Sequence, residues 1–221
     1  MSFNIAIDGP AGAGKSTIAK MAAKKLGFIY VDTGAMYRAL ALYFMRCGID
    51  VSSETGIAGA LKNVSVTIAY EDGRQQVILN EENVTDLIRT EAVGNMASAT
   101  SIYPAVRTKL LSLQREMAAN HDVIMDGRDI GTNILPDADV KIYLTATSRE
   151  RAKRRALELK QKGIACDIDA IEKDINERDE RDKNREIAPL KQAEDAIYLD
   201  TSDMGIEAVV EKIMAIVKEK Q

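Results

Sequence analysis

A lysine and a hydroxyl set directly behind closely spaced glycines can hold a chain of phosphates. The segment "IDGPAGAGKST", residues 7–17, has that arrangement, with Gly9, Gly14, Lys15 and Ser16 matching G-x-x-x-x-G-K-[ST]. Gly12 and Gly14, lacking side chains, let backbone N–H groups converge on an anion at the positive end of the helix that follows. Lys15 is placed to reach β- and γ-phosphates, the Ser16 hydroxyl to ligate Mg²⁺, and the Thr17 hydroxyl to lie near the α-phosphate. The nucleotide-facing loop is thus Gly9, Pro10, Ala11, Gly12, Ala13, Gly14, Lys15, Ser16 and Thr17.

Further charge follows other apolar runs. "VDTGAMYR" carries Arg38 on a helix opening near Gly34, "MDGRDIGT" carries Arg128 and Asp129, and "NMAS" and "AVR" contribute Ser98 and Arg107. Arginines and an acid gathered at strand ends describe a site for a second anion beside the triphosphate. In "NERDERDKNR", residues 176–185, a helical step with Arg178 at zero sets Arg181 at about −60°, Asp182 at about +40° and Arg185 at about −20°. Those four share one face, with Asp179, Glu180 and Lys183 at the sides or back. Arg151, Arg154 and Arg155 lie on a neighbouring helical stripe. A mobile basic lid closing over polyphosphate accounts for this charge better than a solvated helix does.

The elements that must position these residues are legible as period. Five short apolar runs, Asn4–Asp8, Phe28–Asp32, Val123–Asp126, Val140–Thr145 and Ala196–Asp200, read as buried parallel strands. Helical stripes separate them: Ile18, Met21, Ala22 and Leu26 closed by Gly27; Val106, Leu110, Leu113 and Met117 behind Pro104; and Ile206, Val209, Val210, Ile213 and Val217. The alternation predicts an α/β fold, a doubly wound five-stranded parallel sheet with helices on both faces and ligands at the carboxyl ends of its strands. Two segments interrupt it. Around residues 62–83, Val64, Val66, Ile68 and Tyr70 alternate with polar residues and Asp72-Gly73 supplies a tight turn, predicting a small antiparallel insertion. Residues 148–188 form the charged helical excursion.

The chain of 221 residues suits one α/β core with insertions. A net charge of −4 argues against nucleic-acid or acidic-membrane partners. No apolar run of membrane-spanning length or secretory leader occurs, and Cys47 and Cys166 stand alone, so a reduced cytoplasmic setting is expected. No heptad seam stands out, which leaves monomer as the default. Neither N-K-x-D nor D-x-x-G occurs, which excludes a guanine-nucleotide switch. Two other readings stay open: a kinase of a small hydroxylated metabolite of the shikimate kind, with Asp32 or Asp126 as base, and a nucleotide-gated module without turnover.

Taken together, "GPAGAGKST", "DTGAMYR", "DGRDIGT" and "ERDERDKNR…PL" resemble the bacterial cytidylate (CMP) kinases of the nucleoside monophosphate kinase group of P-loop kinases, over essentially the whole chain. The resemblance implies a single kinase domain, 1–221. Its core would comprise about 1–35, 104–147 and 188–221, its monophosphate-binding part with the insertion about 36–103, and its lid about 148–187. It implies transfer of the γ-phosphoryl of ATP to CMP or dCMP with Mg²⁺. Arg38, Arg128 and Arg185 would hold the CMP phosphate, and Ser98, Arg107 and Asp129 would meet the cytosine edge. Arg178 and Asp182 would reach the sugar or phosphates, and Arg151 and Arg155 the ATP. Lys15, Arg128, Arg178 and Arg185 would be the catalytic charges. Thr33 stands where relatives often carry serine, and also belongs to the CMP site. His121, the one histidine, falls in a helix-to-strand loop and is not a convincing base. An ionised acceptor phosphate needs none.

Overall fold

The computed structural model describes residues 2–161 and 163–221. Its centre is a parallel sheet of β1 (Asn4–Asp8), β2 (Ile29–Asp32), β6 (Val123–Gly127), β7 (Val140–Thr145) and β8 (Ile197–Asp200), in the order β2-β6-β1-β7-β8. The five expected runs are these five strands, each within a residue or so of its expected ends. Strand alternation feeds two cores. Ile5, Ile7, Ile124, Ile142 and Leu144 face α1 (Lys15–Leu26) and α8 (Ile206–Lys220); Ala6, Val31, Val123 and Met125 face α2 (Thr33–Arg46) and α5 (Pro104–Asn120). Burial on both faces explains why the strands are continuously apolar. The chain leaves β1 toward β2 on one side and later fills β7 and β8 on the other, so the crevice at the strands' carboxyl ends is a topological switch point.

The insertion consists of β3 (Val66–Glu71), β4 (Arg74–Leu79) and a two-residue β5 (Glu82–Asn83), in a separate antiparallel sheet. Asp72 (φ 50°) and Gly73 (φ 71°) form the expected tight turn, and the third strand was not expected. Val77 and Leu79 of β4 join the core that includes Met36 and Leu40 of α2. Between α2 and β3 lies α3 (Glu54–Ala60), and α4 (Glu91–Thr100) follows the insertion. The charged excursion is a helical pair, α6 (Ser148–Gln161) and α7 (Ile168–Lys183). Among the described residues no helix is long and apolar enough to cross a membrane.

Candidate functional site

Between β1 and α1 the loop turns so tightly that only glycine fits at position 9: at φ 150°, an added Cβ would lie 1.9 Å from the Leu144 carbonyl oxygen of β7. Gly14, at φ 87°, then opens α1 and leaves its first amides free to point into the crevice. Lys15 is 6% exposed, and its ammonium donates to the Gly9 and Pro10 carbonyls at 2.8 and 2.7 Å. Burial, then the neighbouring Arg128, hold its pKa well below the usual lysine range. Ser16 donates to Asp126 at 2.8 Å, and Tyr30 donates to the other Asp126 oxygen at 2.9 Å. Burial and Asp32 push the Asp126 carboxyl up to about 6. Asp8, raised to about 6 by burial, accepts the Ile130 and Gly131 amides at 2.8 Å each, bracing the chain that leaves β6.

Arg128 and Arg185, from distant segments, meet on one carboxylate at this edge. Arg128 donates through Nε to Asp182 at 2.8 Å, and Arg185 pairs with the other Asp182 oxygen. Asp182 is 1% exposed and forms a buried clasp between two guanidiniums. Arg185 lies past the end of α7 and reaches Asp182 from the loop; the single helical face expected for 178–185 holds only as far as Lys183. Arg181 is exposed. Arg178 is buried enough that its Nε has no hydrogen-bond partner among the described residues. Burial, then Arg128, lower its pKa to about 10. Arg38 is likewise depressed by burial, with Asp32 opposing the shift and Arg89 and Arg128 adding to it. Guanidiniums gathered this closely favour a multiply charged anion.

Beside them lies a second polar group. Arg107 of α5 pairs with Asp129, sits 5.8 Å over the Tyr37 ring and donates to the Ser101 carbonyl at 3.3 Å. Asn133 also donates to Asp129, at 3.1 Å. Ser98 Oγ and Arg107 Nε are buried and lack partners among the described residues. Orphaned polar atoms cost stability, and a flat heterocycle with its own donors and acceptors would satisfy them.

Other expected site residues are held by partners within the protein. Thr33 is 3% exposed and its hydroxyl donates to the Asp126 carbonyl at 2.8 Å, so it braces two strand ends. Arg151 of α6 turns toward the phosphate loop. It is buried, donates to the Ala146 and Ala11 carbonyls at 2.9 and 2.8 Å, and pairs with Asp179 at 2.6 Å. Asp179, expected at the side or back of α7, is buried too and accepts the Ala11 amide at 3.1 Å. The helical pair thereby grips both polar groups of one phosphate-loop residue. Arg155 pairs with Glu158 on its own helix and lines a cavity of about 350 Å³ with Arg89 and Glu91. Arg154, bonded to Thr201, also lies beside the loop, 3.9 Å from the Cβ position of Gly14. Helical spacing alone does not distinguish these three arginines; their partners lie far away in sequence.

The Arg151–Asp179 pair yields a stability prediction. Asp179→Ala, leaving a buried guanidinium unpaired, is expected to cost roughly 3–5 kcal/mol, and Arg151→Met with Asp179→Leu much less. Thermal melts of the three proteins check it; equal losses for the single and double variants would contradict it.

The residues committed elsewhere also limit the chemistry. Asp32 caps α2 through the Ala35 amide at 2.9 Å and pairs with Arg89 at 3.0 Å, while Asp126 is held by Ser16 and Tyr30. Neither is left free as a general base for a hydroxyl acceptor, and His121 is exposed at the end of α5.

Comparison with known proteins agrees with this arrangement. A crystal structure of an uncharacterised protein from Eubacterium ventriosum has the same fold, with a TM-score of 0.56 at 13% identity over 99% of both chains. Cytidylate kinase of Lactobacillus johnsonii is 50% identical, covering 99% of this chain and 95% of its own. That of a Geobacillus species is 47% identical, over 99% and 98%. The family model for cytidylate kinase matches residues 5–219, and the chain belongs to the cytidylate kinase family.

Proposed function

We propose how this chain's residues divide the work of its family's reaction, the transfer of the γ-phosphoryl group of ATP to CMP. The donor phosphates lie along the amides of Gly9 to Thr17 with Lys15 against them, and Arg154 flanks the loop. The acceptor lies opposite, its phosphate among Arg38, Arg128, Arg178 and Arg185. Its base meets Ser98, Arg107 and Asp129. The observation that carries this reading is the convergence of Arg38, Arg128 and Arg178, from three distant segments, beside Lys15. Arg128 lowers the pKa of Lys15, Arg38 and Arg178, and Arg38 lowers that of Arg178.

The CMP phosphate, with a second pKa near 6, is largely a dianion at neutral pH and attacks without a base. Catalysis then consists of alignment and charge stabilisation. Asp182 holds Arg128 and Arg185 in fixed directions, which removes reorganisation at the moment of transfer. Ser16 and Asp126 present hard oxygen donors 2.8 Å apart at the loop, a set that fits Mg²⁺ completed by phosphates and water. Bound there, the ion would neutralise charge developing between the donor's β- and γ-phosphates. The α6–α7 pair serves as the lid, residues 36–103 with the insertion as the monophosphate-binding part, and the remainder as core. The proposed setting is the cytoplasm, for a monomer acting on free nucleotides. A net charge of −4 and two free thiols suit it.

Base choice follows from hydrogen-bond sense. Cytosine offers an N4 amino donor where uracil has a carbonyl, and an ionised Asp129 accepts from the first and repels the second. A coupled assay of ADP release should show turnover with CMP and dCMP and little with UMP, AMP or shikimate. Comparable rates with shikimate, or none with any acceptor, would overturn the reading. Asp129→Ala is expected to erode the CMP-over-UMP ratio of kcat/KM by at least about tenfold. An unchanged ratio would remove Asp129 from base selection.

A further inference from the structure

Strand β2 is the edge of the parallel sheet, and the polar backbone groups along its outer side have no strand partner there. Exposed edges of this kind are costly when unsatisfied and are usually covered. Here the cover is built from side chains. Gln75 of β4 accepts the Asp32 amide at 2.7 Å through its side-chain oxygen and donates to the Asp32 carbonyl at 3.2 Å through its nitrogen. One side chain thus reproduces both hydrogen bonds that a neighbouring strand would make. Tyr70, directly opposite Gln75 in the hairpin register, donates to the Tyr30 carbonyl at 3.0 Å.

The residue that Gln75 clamps is no ordinary edge residue. The Asp32 carboxylate caps α2, the helix bearing Arg38, and pairs with Arg89 at 3.0 Å. Burial disfavours the ionised carboxylate, and Arg89 and Arg38 together overcome that and hold it below the usual range. We propose that Gln75 is a positioning residue of the acceptor site: by fixing the Asp32 backbone from both sides, it sets the direction of the Asp32 carboxylate, which caps the helix bearing Arg38 and pairs with Arg89. The insertion then acts on the acceptor nucleotide without touching it. This inference rests on the acceptor-site reading given above.

Gln75 is not what holds the hairpin down. Val77 and Leu79, 1% and 2% exposed, anchor β4 in the core. Replacing Gln75 by methionine keeps the length of the side chain and removes both hydrogen bonds. In the coupled assay with purified full-length protein, Gln75→Met is expected to raise KM for CMP roughly fivefold to tenfold. KM for ATP and kcat should stay within about twofold. Gln75→Glu keeps the acceptor for the Asp32 amide and should recover part of the loss. Tyr70→Phe loosens the same edge at Tyr30, away from the acceptor groups, and should leave KM for CMP within about twofold.

A wild-type KM for CMP in Gln75→Met would overturn the proposal. So would equal rises for both substrates, or a rise in Tyr70→Phe as large as in Gln75→Met, since either result would make the hairpin a passive cover. Should the unaltered protein itself release no ADP with CMP, the acceptor-site reading fails first and this inference with it; turnover by the unaltered protein separates the two failures.

Discussion

Lys15→Ala is expected to lower kcat by at least about 100-fold while the fold remains intact. The ammonium is held by backbone carbonyls rather than by a carboxylate. It bonds the Gly9 and Pro10 carbonyls, and Asp8, Asp126 and Asp182 favour its charged form without pairing directly with it. Such a group exchanges weak neutral partners for phosphate oxygens as charge moves between nucleotides, so its interaction strengthens toward the transition state. Alanine leaves the loop geometry to Gly9 and Gly14 and strands no buried carboxylate. The measurement is kcat from ADP release at saturating ATP and CMP, with a thermal melt alongside. A variant keeping more than about a tenth of the rate would remove Lys15 from the role given to it.

The second large effect is expected at Arg128, for which Arg128→Met should reduce kcat/KM for CMP by about 10³. Nearly every charged group of the site feels this guanidinium. It pairs with Asp182, and it lowers the pKa of Lys15, Arg38, Arg178 and Arg185. Methionine preserves the apolar stem, so the loss isolates the charge and the fork of donors. Asp182 retains Arg185, which limits structural damage. Arg128→Lys should restore only part of the activity, because a point charge cannot hold Asp182 through one nitrogen and a phosphate through the others. Full recovery by lysine, or a loss under about tenfold in the methionine variant, would show that alignment by this side chain is not required.

These two residues differ in how they could be found. Lys15 lies in a contiguous motif whose chemistry is carried by neighbours in the chain, and the same holds for the Asp72-Gly73 turn and for the five apolar strands. Local period and turn chemistry act over a few residues, so the order of elements, the insertion and the phosphate loop are readable without coordinates. That Arg38, Arg128 and Asp129 come to one edge was foreseeable as well, since they follow β2 and β6. In a parallel sheet, residues that follow strands are brought to one edge whatever the loops between them do.

Tertiary structure alone decided which charges are tools and which are joints. Nothing local separates Arg151 from Arg154 or Arg155. Arg151 is held by Asp179, 28 residues on, and by Ala11, 140 residues back. Asp179 meets the Ala11 amide across 168 residues, and Asp8 meets Ile130 and Gly131 across 122 and 123. Gln75 reads as a polar strand residue until β2 is seen to be an edge, 43 residues away. A side chain's period tells which way it faces from its own element. What it then touches depends on how elements pack, and a buried charge settles wherever packing supplies a partner at the lowest desolvation cost.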